Sequence, residues 1–388
     1  MFKAPTLFTF FAGAGFLDLG FETSGYNVAF VNEYHKPFMD TYRHARKGMK
    51  DVFNLHEPEF GYHVQDVSDF IQEPENTILS HRIEECRKRG ELIGFIGGPP
   101  CPDFSVGGKN RGFEGDNGKL TATYVELICQ QQPDFFIFEN VKGLWRTQKH
   151  RSFFDQMIQK LKENGYMTTA KLINAIEFGA PQVRERIILF GIRGKSASEL
   201  GIELQKGQTL DDIFPWEKHI KYKAEDIAKM PFPTMDPFAE KSLLPMPEGL
   251  PEELTVEYWF RKNDVKNHPN TQQYFKPRAG LAKFEVIPEG DDSKKSYKRL
   301  HRWRYSPTAA YGNNEVHLHP YEARRISVAE ALAIQSLPKE YTLPDDITLS
   351  NAFKTVGNGV PYLAAKGIAQ TVLDFIWVGE RVYEVNSR

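Results

Sequence analysis

Cysteine is scarce, with three residues in 388. That is too few for a disulfide framework, so a reducing, cytoplasmic setting is expected. No apolar run reaches the length of a membrane span. Met1-Phe2-Lys3-Ala4-Pro5 has neither the basic stretch nor the small-residue cleavage site of a secretory leader. No Cys-x-x-Cys or His-Glu-x-x-His pattern occurs, so no protein metal site is expected. The His-x-Glu and Pro-Cys-x-x-Cys signature of zinc deaminases is also missing. Net charge is nearly absent, since 49 Lys and Arg against 51 Asp and Glu leave −2. A uniformly basic nucleic-acid binder is thereby excluded, and any DNA-facing potential must be local. What remains is an ordinary globular composition, 26% charged and 13% aromatic, in a chain of two-domain length.

Apolar segments at Leu7–Phe11, Val28–Val31, Leu92–Ile96, Phe135–Phe138 and Ile187–Phe190 read as short buried strands. Helical patterns lie around 16–24, 36–46, 77–89, 119–131 and 150–164. The alternation predicts an α/β domain with a mostly parallel sheet covered by helices on both faces. Ligands of such sheets bind beyond the carboxyl ends of the strands.

The chemistry-bearing residues fall at those ends. Cys101 lies in Pro99-Pro100-Cys101-Pro102-Asp103-Phe104-Ser105, where prolines exclude helix and inner strand. A free thiol is usually a small buried hydrophobe. One held rigidly between a strand and a glycine-rich stretch (Val106 to Gly118) is instead a candidate nucleophile. Phe10-Phe11-Ala12-Gly13-Ala14-Gly15 is a strand running into a glycine turn, and such turns are also common as plain structure. Glu33, twenty residues beyond Gly13, suits the hydroxyls of an adenosine ribose. Asp66 could accept from an adenine amino group. Either residue could equally be an ordinary polar loop residue.

Glu139 follows an apolar strand directly, where burial would favour the protonated acid. The alternative is a solvated Glu139 beside an Asn140 helix cap. Arg184 and Arg186 alternate onto one face, suited to phosphate or a polarised carbonyl, or to an edge-strand ion pair.

Taken in order, these blocks resemble the DNA cytosine-5 methyltransferase family. They are Phe-Ala-Gly-x-Gly at 11–15, Pro-Cys at 100–101 with Phe-Ser at 104–105, Glu-Asn-Val at 139–141 and Gln-x-Arg-x-Arg at 182–186. Arg325, Glu330 and Gln335 follow, then Gly357-Asn358-Gly359-Val360-Pro361. The resemblance implies a methyltransferase fold and transfer of a methyl group from S-adenosylmethionine to C5 of cytosine, leaving S-adenosylhomocysteine. It implies Cys101 as the nucleophile at C6, Glu139 as the acid at N3, and Arg186, with Arg184 beside it, at the base carbonyl. It implies a cofactor pocket of Phe11, Ala12, Gly13, Gly15, Glu33, Tyr34, Asp66, Val67, Pro100, Leu120, Asn358 and Gly359.

The target base must leave the duplex to be reached. The stretch 106–112 is read as a lid, with Ser105, Lys109 and Arg111 as DNA contacts.

The expected organisation is a catalytic segment at 1–193, a smaller target-recognition domain at 194–320 and a return segment at 321–388. Six prolines between Pro231 and Pro251 argue against regular helix there. Six Lys or Arg between Lys294 and Arg304, interleaved with Tyr297, His301 and Trp303, read as a DNA-facing surface through Lys298, Arg299, Arg302 and Arg304. A helix over about 360–375 is expected to pack back on the first domain.

Asp103, Leu337, Gly359 and Ala309 depart from the family pattern, without touching the thiol, the acid or the arginines. The expected protein is a stand-alone, monomeric modification enzyme acting on double-stranded DNA, away from membranes. A restriction endonuclease sharing its site, without a stable complex, is the expected partner. Rival readings are a tRNA methyltransferase on the same scaffold, a dinucleotide-dependent oxidoreductase and an inactive DNA-binding relative.

Overall fold

The computed structural model describes residues 3–100, 116–277, 281–309, 311 and 315–386, with Asp116, Asn117, Lys149 and 378–386 as backbone only. Seven strands form one sheet: β1 (Thr6–Phe10), β2 (Asn27–Asn32), β3 (Tyr62–His63), β4 (Ile93–Gly97), β5 (Phe135–Val141), β6 (Tyr166–Asn174) and β7 (Glu185–Arg193). Their order is β3-β2-β1-β4-β5-β7-β6. The pairs from β3 to β5 are parallel, and β7 runs antiparallel between β5 and β6. All five expected strands are present, and the mostly parallel sheet is as expected. The two-residue β3 and β6 are additions. β6 is an edge strand with much of its length half exposed, and Thr168, Thr169 and Lys171 dilute the apolar signal there.

Helices α1 (Phe16–Glu22), α2 (Lys36–Phe53), α3 (Glu75–Lys88), α4 (Asp116–Gln131), α5 (Lys142–Arg146) and α6 (Gln148–Glu163) separate the strands. One face of the sheet is filled largely by phenylalanines of β1, β2, β4 and β5 against α3, α4 and α6. Phe10 packs on Phe95 with ring centroids 5.0 Å apart. On the other face lie Leu17 and Phe21 of α1 and a long late helix that begins at Tyr362.

The last third of the described chain supplies α7 (Val256–Lys262), α8 (Val328–Ile334), α9 (Leu349–Asn358) and α10 (Tyr362–Asn386). α8 is started by a capping box in which Ser327 and Glu330 exchange hydrogen bonds. α10 lies directly on α1. A Cβ on Gly20 would stand 2.5 Å from that of Ala365, and Tyr26 Oη donates to Ala369 O at 2.9 Å. Burial of side chains such as Phe21 and Ile368 stabilises this contact by about 2 kcal/mol each.

Residues 197–214, expected from the sequence to open the smaller domain, add Ala197, Leu200, Leu210 and Phe214 to the core of the sheet instead. Phe214 stacks beside Phe190 at 4.6 Å. Val256, Trp259, Leu300 and Val316 share a second core with α8, α9 and Phe16 and Leu19 of α1. Among the described residues no helix is long and apolar enough to cross a membrane.

Candidate active site

The antiparallel β7 decides where the chemistry sits. Parallel strands deliver their last residues to one edge, and a strand running the other way delivers its first residues there. Val141 of β5 therefore pairs with Arg186 of β7. Arg186 Nε lies 2.9 Å from Glu139 Oε1. The other Glu139 oxygen lies against Gly98, where a Cβ would stand 2.7 Å from it. Only glycine leaves that space. Asn140 Nδ2 donates to Pro99 O at 3.3 Å, which ties the end of β5 to the segment leaving β4. Cys101 follows one residue after Pro100, outside the described residues, as do Ser105, Lys109, Arg111 and the 106–112 stretch.

Glu139 is 8% exposed. Burial pushes its carboxyl above the ordinary range, opposed by the guanidiniums of Arg186 and Arg184. The result is an acid that holds its proton more firmly than usual, beside a cation able to grip a carbonyl oxygen.

Arg184 is placed differently from its neighbour. It is 1% exposed, and its Nη1 and Nη2 donate to Ala309 O at 3.0 Å and Gly357 O at 2.7 Å. This corrects the expectation of a substrate contact: Arg184 positions three segments that meet at the site. Gln182, for which the sequence suggested no role, helps it. Gln182 donates to the Gln335 side chain at 3.1 Å and accepts from Ala309 N at 3.0 Å. Ala309 is wholly buried between them, and its carbonyl accepts from Arg184, which corrects the expectation that this departure from the family pattern touches none of the arginines.

The glycine turn lies at the end of β1. Phe11 adopts a positive φ of 52°, a conformation uncommon outside glycine and frequent at functional sites. Its ring meets Tyr124 edge-on at 5.9 Å. Gly13 N donates to Glu33 Oε2 at 2.8 Å, and His35 N donates to Glu33 Oε1 at 2.7 Å. Nothing stands within 4 Å of where a Gly13 Cβ would be. Tyr34, 69% exposed, follows Glu33. Pro100 and Asn358 are exposed, and Ala12, Asp66, Leu120 and Gly359 are half-buried.

Asp66 Oδ1 is engaged by Ser68 N at 2.9 Å and Ser68 Oγ at 2.7 Å, so it caps the short 3-10 turn Val67–Ile71. The Val67 side chain is buried in the core. A half-buried aromatic ring, a buried carboxylate and an open glycine backbone fit an adenosine-bearing ligand such as S-adenosylmethionine.

Two of the four cations of the 298–304 stretch expected to meet DNA, Arg299 and Arg302, are buried, and this corrects their assignment. Arg299 donates to the carbonyls of Phe284, Ile287, His319 and Glu322 and stacks on Phe238 at 4.0 Å. Arg302 forms two 2.8 Å hydrogen bonds to the Glu289 carboxylate. It also donates to Ser242 O at 2.6 Å and Ser242 Oγ at 2.8 Å. Lys298 and Arg304 are half-buried. Near α8 an ion pair to Glu330 is made by Arg324, at 2.7 and 2.9 Å.

The family model for C-5 cytosine-specific DNA methylases matches residues 6–374. A type II methyltransferase of Neisseria meningitidis serogroup C, M.NmeDI, is 54% identical over 374 residues, covering 96% of this chain and 84% of its own. M.FnuDI of Fusobacterium nucleatum is 29% identical over 381 residues, covering 95% of each chain. Among solved structures, a DNA modification methyltransferase encoded within an E. coli prophage superposes with a TM-score of 0.58 at 19% identity. It covers 96% of this chain and 99% of its own, and shares the fold.

Proposed function

Since the chain belongs to the C-5 cytosine-specific DNA methylase family and is a DNA cytosine-5 methyltransferase of the type II restriction–modification class, we propose that it acts through a covalent bond from Cys101 to C6 of an extruded cytosine. The observation that carries this reading is the buried Glu139–Arg186 pair at 2.9 Å, at the strand end beside the segment that leads to Cys101. Addition of the thiolate to C6 raises electron density at C5, which is otherwise a poor nucleophile. Glu139 gives its proton or a hydrogen bond to N3, and Arg186 holds the base carbonyl. Loss of the C5 proton after transfer then expels the thiolate and restores the ring.

Phe11, Gly13, Glu33, Tyr34, Asp66, Leu120 and Asn358 would hold S-adenosylmethionine, with Glu33 at the ribose. Bound there, it supplies an electrophilic methyl group and leaves as S-adenosylhomocysteine. Extrusion of the base costs roughly a few kcal/mol, offset by contacts in the pocket.

Residues from about 216 to 320, with Lys298 and Arg304, would read duplex DNA. The enzyme would work as a cytoplasmic monomer alongside an endonuclease of the same specificity, without a stable complex. Duplex DNA carrying 5-fluorocytosine tests the reading, because the fluorine cannot leave as a proton does and the protein stays bound. A covalent adduct that forms only with S-adenosylmethionine and disappears in Cys101→Ser is expected. Turnover by Cys101→Ser would refute it.

A further inference from the structure

The glycine turn is held from two sides. Outside, Gly13 N is tied to Glu33. Beneath, Tyr341 Oη donates to Ala14 O at 2.7 Å and Arg46 Nη2 donates to Gly15 O at 2.8 Å. Arg46 lies in α2, and its side chain is 4% exposed. Its guanidinium covers the Tyr42 ring at 4.3 Å and lies 2.6 Å from the Glu22 carboxylate. Gly15 itself has φ 78°. A Cβ there would stand 2.4 Å from Tyr42 Cε2 and 2.9 Å from Arg46 Nη2. The turn is thus seated on an aromatic ring and a cation.

We propose that Arg46 is a positioning residue for the methyl donor: by fixing Gly15 O it sets the distance between the turn and Glu33, and thereby the affinity for S-adenosylmethionine. The inference rests on the reading of this turn as the donor site.

Two features set this arrangement apart from ordinary packing. First, α2 touches the donor site twice. Its start is tied through His35 N to Glu33, and Tyr42 and Arg46, farther along the helix, reach the turn. One rigid helix therefore couples the carboxylate at the ribose to the backbone beneath the donor. Second, the cluster is poorly built for stability alone. Among the described residues Arg46 Nε and Nη1 and Asp18 Oδ2 are buried without hydrogen-bond partners. Apolar side chains of similar volume often stabilise as well as or better than a buried ion pair. What they cannot do is donate a hydrogen bond to Gly15 O.

Calorimetric binding of S-adenosylhomocysteine to the purified full chain tests this, with steady-state kinetics beside it. Arg46→Met is expected to weaken binding about tenfold, the loss of one charge-assisted hydrogen bond. KM for DNA, and kcat at saturating donor, should stay within about threefold of wild type. Arg46→Lys, which keeps the charge and one donor, should recover part of the affinity.

If Arg46→Met does not fold, Arg46→Met/Glu22→Leu removes the stranded carboxylate as well. It should fold and still bind weakly. Wild-type affinity in either the single or the double variant would overturn the proposal and leave Arg46 as packing only. A wild-type protein that bound no S-adenosylhomocysteine would instead overturn the assignment of the turn.

Discussion

Arg184 and Gly357 lie 173 residues apart in sequence and are joined by a 2.7 Å hydrogen bond. The same guanidinium holds Ala309 O, so one side chain at the start of β7 anchors the two late segments that complete the site. Arg184→Met should strand both buried carbonyls, at about 1–3 kcal/mol each, and show a lowered melting temperature. Arg184→Lys keeps the charge but lacks the planar fork that spans the two carbonyls, and should fall between the two. A thermal scan of all three proteins checks this order.

Glu139→Gln keeps the shape of the pocket but has no acidic proton to give. Methyl transfer should slow by about 10²-fold or more, while binding of S-adenosylhomocysteine stays unchanged. Because burial holds the Glu139 proton above the ordinary range, the protonated, active form persists as pH rises and is lost through the raised pKa. Wild-type kcat should therefore fall on the alkaline side, and the glutamine variant should lack that limb. A glutamine variant at full rate would remove the acid role.

Glu22 gives a stability prediction with a defined sign. Burial pushes its carboxyl from 4.5 to about 7, opposed by Arg46 and reinforced by Asp18, with Tyr42 and Tyr341 packed around Arg46. The folded chain thus binds this proton more tightly than the unfolded chain does. The contribution is full below about pH 4.5 and is lost as pH rises to about 7, a difference of about 3 kcal/mol at most. Urea unfolding of wild type and Glu22→Gln between pH 4.5 and 8 should show a steeper decline in wild type, since Glu139 and other buried carboxyls titrate in both.

Salt dependence separates the four cations of the 298–304 stretch. Lys298→Ala and Arg304→Ala should each reduce the slope of log K for DNA against log salt by about 1 if they meet phosphates. Arg302→Met should leave the slope alone and destabilise the fold by about 3–5 kcal/mol, since it abandons the buried Glu289. Nitrocellulose binding at several salt concentrations, with denaturant melts, distinguishes the two classes.

These cations also mark where sequence stops being informative. A run of Lys and Arg mixed with aromatics looks alike whether it faces phosphate or folds inward. The acceptors that bury Arg299 come from residues 284, 287, 319 and 322, and no local pattern announces them. Glu139, Arg186 and the glycine turn were legible because each sits at a strand end, where side-chain chemistry and sheet topology coincide. Arg46 was not, since its partners Gly15 and Glu22 lie one helix and one strand earlier and only tertiary contact joins them. β6 was hidden by its half-polar edge face.

The contact of α10 on α1 has a consequence for biogenesis. Tyr26 and Ala369 are 343 residues apart, a gap that takes roughly 17–70 s to translate. Throughout that interval the apolar side of α1 has no α10 to cover it, and the segment bearing Gly357, which Arg184 anchors beside the site, has yet to be made.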